Sequence, residues 1–395
     1  MAKEVRRDNK GRILRTGESQ RPDGRYMFKS SLLAKPLYSW KLVPTDKIPK
    51  GKRNDISLRD KIEQALKDVS DGIDPAGKKL TVCQLYAKKN SLRKNVKRNT
   101  VKGRQQFMNL LKKDALGSMT IDNVKLSDAK AWAIRMSENG IAYNSIRNYK
   151  RSLNASFYLA IQDDYIRKNP FDFKLSEVID DDTEEKIVLT PEQEENLLSF
   201  AKTDKTYKKY YDEIVILLET GLRVSELCGL DLNVAVNMKD RLVLVEHQLL
   251  RDNEVGYYTA PPKTKNGSRQ VPMSNRAYEA FKRAIKNRPK GKEFMVDGYS
   301  RFLFLNKKGL SKVAVNYDGM LRGLVAKYNK THDEPLPHIT PHTFRHTFCT
   351  NMANKGMNPN TLQYIMGHSN ITMTLGYYAH GSYASAKSEM DRLCA

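Results

Sequence analysis

Apolar positions change period along the chain, and the changes divide it. Near the amino terminus, short runs rich in aromatic and branched residues, Arg25-Tyr26-Met27-Phe28-Lys29 and Leu37 to Val43, predict strands. Asp23-Gly24 is a turn signal before the first of them. Leu58, Ile62, Ala65 and Leu66 then recur at helical spacing. A three-stranded sheet with one helix follows. Helical spacing dominates from Thr81 onward, over 81–89, 100–114, 126–139 and 142–163, with Ser127 and Asn144 as expected caps. Thr190-Pro191-Glu192-Gln193 reads as a helix start, with a cap, a first-turn proline and acids near the positive end. Ile214 to Leu218 is an apolar helix-like run, and Arg241 to Glu246 alternates as a strand. Gly256–Thr259 and Arg269–Pro272 flank Lys265-Asn266-Gly267, a pattern that predicts one hairpin.

Two polar stretches interrupt these patterns. Residues 71–80, DGIDPAGKKL, are turn-rich, and 176–185, SEVIDDDTEE, are acidic. Domains are therefore expected at 1–75, 80–175 and 186–395. The expected fold is multidomain and mainly α. It has a small N-terminal three-stranded β-sheet plus helix, a four-helix domain, and a mostly α domain with a small antiparallel sheet.

Charge narrows the partners. The 395 residues carry 69 Lys and Arg against 45 Asp and Glu, a net of +24. That balance favours a polyanion, either nucleic acid or an anionic membrane surface. No apolar run reaches the length of a membrane span, and the first residues lack the apolar core of a secretory signal. A cytoplasmic protein that binds nucleic acid and no membrane is the expectation. The charge is uneven. Residues 81–175 hold 19 basic against 7 acidic side chains, whereas 176–395 hold 30 against 27. Lys88, Lys89, Arg93, Lys94, Lys97, Arg98, Lys102 and Arg104 make one dense run, which favours phosphate contacts over a merely solvated face. Arg12 and Arg25 are the corresponding candidates in the first domain, whose basic strands could lie in a major groove or form an ordinary solvated surface. Cys83, Cys228, Cys349 and Cys394 form no C-x-x-C pair, which argues against a zinc module and a disulfide framework. Cys228 and Cys349 read as small buried hydrophobes.

The candidate chemistry sits in 338–378, HITPHTFRHTFCTNMANKGMNPNTLQYIMGHSNITMTLGYY. Pro341 opens a helix, on which His342 and Arg345, three apart, share a face. Gly367-His368 ends a helical segment, and Tyr377 lies nine residues beyond His368. Taken alone, a His-x-x-Arg pair is more often a solvated face. It gains weight from Arg223 in ETGLRVSEL and from Lys263 and Lys265 in PPKTKNGSRQVP. Two guanidinium groups, an ammonium, imidazoles and a phenol suit chemistry on a phosphate diester.

TGLRVSEL, HTFRHTF, MGHSNITMTLGYY and the KT of PPKT resemble the boxes of the tyrosine recombinase (phage integrase) family, over roughly 186–390. Within it, the chain is most similar to integrases of Gram-positive conjugative transposons. RRDNKGRILRTGESQRPDGRY resembles the arm-binding domain of that group. The resemblance implies site-specific strand exchange that excises and integrates a mobile element through a 3′-phosphotyrosine. It implies Tyr377 as nucleophile, with the spacing from Gly367-His368 selecting it over Tyr378. Arg223 and Arg345 would hold the non-bridging oxygens, with Glu226 orienting Arg223. His342 would accept a proton and His368 would bond the phosphate. Lys263 would act as general acid, with Lys265 as its rival. No metal and no cofactor are expected. The implied partners are double-stranded DNA at core and arm sites and at the target, further copies of the chain in a tetramer coupled through residues 379–395, and an excisionase accessory protein. A helical core-binding domain and the catalytic domain would clamp the crossover site, joined by the acidic linker. Two rival readings keep the same fold. A non-catalytic architectural or regulatory DNA-binding protein has no need of Arg223, His342, Arg345, His368 and Tyr377 together. A type IB-like topoisomerase would relax DNA lacking specific sites.

Overall fold

The computed structural model describes residues 6–33, 35–52, 54–70, 79–183, 187–262, 264–291, 294–378 and 390. The chain forms two compact units, residues 1–184 and 185–395. The fold is mainly helical with small antiparallel sheets, as the periodicity predicts.

In the first unit, β1 (Glu18–Gln20), β2 (Tyr26–Phe28) and β3 (Leu37–Ser39) form an antiparallel sheet in that order, followed by α1 (Leu58–Ser70). Its core is small: Leu14, Tyr26, Phe28, Leu42 and Leu58. Buried carboxylates are neutralised around it. Arg59 pairs with Glu18 at 3.1 Å, and Arg12 bridges Asp8 at 2.8 Å and Asp46 at 2.7 Å. A domain this small has little apolar area to bury, so such ties matter.

A second cluster is built by α2 (Val82–Ser91), α3 (Arg98–Lys113), α4 (Ala115–Ser118), α5 (Leu126–Glu138) and α6 (Tyr143–Gln162) around Trp132, Phe107, Phe157 and Phe171. The four long helices match the four expected, and α4 is an added short turn. Thr81 caps α2 through a capping box with Gln84. The caps expected at Ser127 and Asn144 are corrected. Both lie inside their helices, and Asp128 instead closes the start of α5 by accepting from the Lys125 N–H at 2.8 Å. Asn169 accepts from the Phe171 N–H at 2.9 Å, which turns Phe171 into the core. Residues 71–78 of the expected first linker and 184–185 of the second lie outside the described residues.

The second unit holds α7 (Pro191–Thr203), α8 (Tyr211–Thr220), α9 (Val224–Cys228), α10 (Asn275–Lys286), α11 (Ala314–Tyr328), α12 (Pro341–Asn354), α13 (Pro359–Met366) and α14 (Thr372–Leu375). Thr190 caps α7 with Gln193, as its sequence predicts. Helix α8 is buried over Glu213 to Leu218 and packs against α10 and α12, so its apolar run serves as the central support. The sheet differs from expectation. Strand β7 (Gly256–Ala260) pairs with β6 (Gln248–Asp252), while β8 (Arg269–Pro272) pairs with β5 (Leu242–Val245) beside β4 (Val236–Asn237). The predicted hairpin between 256–259 and 269–272 is therefore corrected to two separate sheets. Burial decides the pairing. Arg269 and Val271 alternate inward and face Val245 and Val243, whereas β7 is half-buried throughout and turns tightly back from β6 at Gly256 (φ +77°). Residues 265–267 form a single 3₁₀ turn rather than a two-residue hairpin loop. Cys228 and Cys349 are buried, as read from the sequence.

Candidate active site

Two helix ends and one helix face assemble the site. Helix α8 stops at Gly221, whose φ of +61° is left-handed; a β-carbon there would meet Phe348 Cδ1 at 2.4 Å. The chain then turns to place Arg223 as the cap residue of α9. Arg223 Nη1 donates to Glu226 Oε1 at 2.7 Å, and its backbone N–H donates to Glu226 Oε2 at 2.9 Å. Its Nη2 reaches the carbonyl of Gly367 at 3.2 Å.

Arg345 lies on α12 and is buried. Its Nη1 donates to the Gly221 carbonyl at 2.6 Å and its Nη2 to the Met366 carbonyl. The carbonyls that end α8 and α13 thus hold both guanidinium groups. Such carbonyls lack an intrahelical partner and carry the negative end of the helix dipole, so they suit cations. Burial, followed by repulsion from Arg223, lowers the Arg345 pKa to about 9, which leaves it protonated at neutral pH. Behind them, Arg269 is fully buried and grips Glu226 with both nitrogens, at 3.1 and 2.9 Å. Burial alone would raise the Glu226 carboxyl, but Arg269, Arg223 and Arg345 outweigh it and hold it below the ordinary range. Three guanidinium groups facing one carboxylate leave a surplus of positive charge, which an anion would neutralise.

Gly367, also left-handed (φ +61°), ends α13. A β-carbon there would lie 2.9 Å from the Asn266 carbonyl, so the 265–267 turn sits against this corner. Asn266 also donates to the His368 carbonyl at 3.3 Å. His368 is buried, and its Nδ1 is 3.0 Å from Thr374 Oγ1, which fixes the ring. His342 is exposed on the first turn of α12; partial desolvation, then the Arg345 and Arg223 charges, lower its pKa. Tyr377 follows α14 with its hydroxyl hydrogen-bonded to His346 Nδ1. Desolvation pushes the Tyr377 phenol up to about 12 against the pull of Arg345. The Tyr378 hydroxyl instead donates to the Met357 carbonyl at 2.5 Å.

Arg223, His342, Arg345, His368 and Tyr377 thus belong to one connected cluster. Lys263 lies outside the described residues, as does the side chain of Lys265, although the turn that carries Lys265 docks on the cluster. Residues 379–389 and 391–395 of the expected coupling segment are also outside them.

A sequence profile of the phage integrase family matches residues 187–385, and one for the DNA-binding domain of the Tn916 integrase matches 2–69. The transposase from transposon Tn916 of Enterococcus faecalis is 63% identical over 393 residues, covering 99% of this chain and 97% of that protein. The chain belongs to the phage integrase family. The identity and coverage are the same for the transposase from transposon Tn1545 of Streptococcus pneumoniae. Tyrosine recombinase XerC of Bacillus subtilis is 24% identical over 297 residues, covering 71% of this chain and 84% of that one. Among solved structures, a Tn1549 transposon integrase with an arginine-to-lysine substitution, in complex with a circular intermediate DNA, superposes with a TM-score of 0.76. It is 59% identical and covers 79% of this chain and 99% of that one. A tyrosine-to-phenylalanine form of that integrase in complex with transposon right end DNA matches equally, at 0.76 and 60% identity, over 80% of this chain and 100% of that one. This phage integrase family member is a site-specific tyrosine recombinase.

Two residues of the cluster escaped the sequence reading. His346 is one turn from His342 and adjacent to Arg345, so a helical projection of HTFRHTF places all three on one side. Arg269 was legible only as an inward position of a strand. The basic candidates of the first unit fall into two groups. Arg12 donates to Asp8, Asp46 and the Tyr26 hydroxyl, Arg25 pairs with Asp23 at 2.7 Å and lies over Tyr38 and Trp40, and Lys88 pairs with Asp163 at 2.8 Å. Lys94, Lys97, Arg98 and Lys102 are exposed, and Arg104 is partly buried beside Asn90. No helix among the described residues is long and apolar enough to cross a membrane.

Proposed function

We propose that this recombinase excises and integrates a conjugative transposon by cutting and rejoining DNA through a 3′-phosphotyrosine at Tyr377. The observation that carries the reading is the anchoring of Arg223 and Arg345 by the carbonyls of Gly367, Met366 and Gly221, with Tyr377 bonded to His346, the residue next to Arg345. Charge builds on the two non-bridging oxygens as the phenol attacks. Preorganised guanidinium groups stabilise that charge more than they stabilise the ground state. His368 supplies a further donor to the phosphate, His342 is the proton acceptor that the sequence offers, and Lys263, or its rival Lys265, protonates the leaving 5′ oxygen. The energy of the broken bond is held in the protein–DNA ester, so the scheme needs no metal or nucleotide.

Residues 1–75 are assigned to arm-type DNA sites, 80–175 to the core site and 186–395 to catalysis. Exchange between two duplexes, each cut on both strands, consumes four nucleophiles, which supports a homotetramer. An excisionase accessory protein is the further partner this reading expects. The test is an excision assay on DNA carrying both element ends. The wild-type chain should release a circle and Tyr377→Phe should not, while relaxation of plasmids lacking those ends would favour a topoisomerase. Lys263→Ala and Lys265→Ala separate the two lysines, because a 5′-thio leaving group should rescue only the variant that lost the acid.

A further inference from the structure

The Tyr377 hydroxyl is hydrogen-bonded to His346 Nδ1, and the two rings lie 5.7 Å apart between centroids and 25° from parallel. His346 is held on a rigid stretch of α12. Arg345 before it is clamped by two carbonyls, and Thr347 after it accepts from the Leu189 N–H at 3.0 Å and donates to the Thr343 carbonyl at 2.9 Å. On the other side, the Tyr377 N–H bonds the Thr374 carbonyl at 3.0 Å, and the Tyr378 hydroxyl ties down the next residue at Met357. Both partners of the contact are thus fixed from behind. The His342 ring lies next along α12, its centroid 6.5 Å from that of His346.

We infer that His346 is a catalytic residue that aims Tyr377 and accepts its proton, leaving His342 to the phosphate. This rests on the reading of Tyr377 as nucleophile. In cleavage, the phenolic oxygen bonds to phosphorus, its proton passes to Nδ1 of a neutral His346 carrying hydrogen on Nε2, and the bond from phosphorus to the 5′ oxygen breaks. That oxygen takes its proton from the acid on the 263–265 segment. Ligation reverses each transfer: the 5′ hydroxyl attacks, the phenol leaves, and His346 returns the proton to it. A phenol attacks poorly while it keeps its proton, and its partly buried setting here makes ionisation harder still. An acceptor already within bonding reach is the arrangement general-base catalysis requires.

The test uses the full chain and a nicked suicide duplex built from an end of the element that encodes it. At saturating DNA, His346→Gln should form the covalent adduct about 100-fold more slowly, with DNA affinity unchanged. A fluorinated tyrosine of lower pKa at position 377 should recover at least roughly tenfold of that loss, because the need for an acceptor falls with phenol acidity. A 5′-thio leaving group, which relieves only the acid, should not. A rate within about threefold of wild type, or a loss that the fluorinated tyrosine leaves unchanged, overturns the inference. Should His346→Gln misfold, nitrogen-15 spectra of histidine-labelled wild type and Tyr377→Phe decide it: the His346 Nδ1 resonance should move on loss of the hydroxyl, and an unmoved resonance rejects the contact. A Tyr377→Phe protein that still traps DNA would reject the nucleophile itself, whereas an adduct at Tyr377 that does not depend on His346 rejects only this inference.

Discussion

Arg269 is fully buried and closes a two-pronged ion pair on Glu226, at 3.1 and 2.9 Å, while Glu226 holds Arg223 at 2.7 Å. Arg269 also donates to the Ile365 carbonyl at 2.5 Å and the Gly267 carbonyl at 2.9 Å. One side chain thereby joins the 265–267 turn, the end of α13 and the carboxylate behind Arg223. Removing one partner of a buried pair strands the other charge, which costs about 3–5 kcal/mol. Arg269→Met should lower unfolding free energy by about that amount in denaturant titrations, and slow adduct formation because Arg223 loses its support.

The same carboxylate sets a pH dependence. Glu226 is held below its ordinary value of 4.5 in the folded chain. A depressed acid contributes stability that is present above its unfolded pKa and is lost as pH falls through the folded one. The stability gap between wild type and Glu226→Gln should be full at pH 7 and shrink below about pH 4.5. Thermal melts across that range check it, and a gap that widens on acidification would contradict the assignment.

Gly221 should not accept a side chain. Its left-handed backbone and the 2.4 Å approach to Phe348 both oppose a β-carbon. Gly221→Ala should cost about 1–3 kcal/mol and reduce cleavage by moving the carbonyl that anchors Arg345. Gly256→Ala offers the comparison, since φ is +77° there but no atom lies within 4 Å. It should show the smaller stability loss and normal cleavage.

The basic residues should separate by role. Arg98→Ala and Lys102→Ala remove exposed charges from the start of α3, so each should weaken DNA binding and flatten the salt dependence by about one unit of slope. Arg12→Ala leaves Asp8 and Asp46 without their shared partner, so its main effect should be on stability of the first domain. Salt titrations of binding beside melts of each variant distinguish the two.

What could be read from the sequence followed local rules. The Thr190-Pro191 cap, the four long helices around Trp132 and the start of α12 at Pro341 depend on neighbours within a few positions, and those neighbours are visible in a string of residues. The strand pairing was not visible. Asn266-Gly267 carries a hairpin signature, yet β8 pairs with β5 because Val271 and Arg269 face inward, and that preference depends on a partner far away in sequence. The cluster shows the same division. Residue types and spacing pointed to Tyr377, but only the folded chain shows its hydroxyl bonded to His346, and only burial shows why Glu226 needs Arg269 as well as Arg223.

The identity of the oxygen that attacks the phosphate decides the mechanism. A nicked suicide duplex incubated with the wild-type chain, followed by protease digestion and mass mapping of the trapped peptide, answers that directly. The phosphodeoxynucleotide should sit on Tyr377, and Tyr377→Phe should bind the duplex and trap nothing while Tyr378→Phe still forms the adduct. An adduct that survives Tyr377→Phe, or maps to Tyr378, would contradict the assignment.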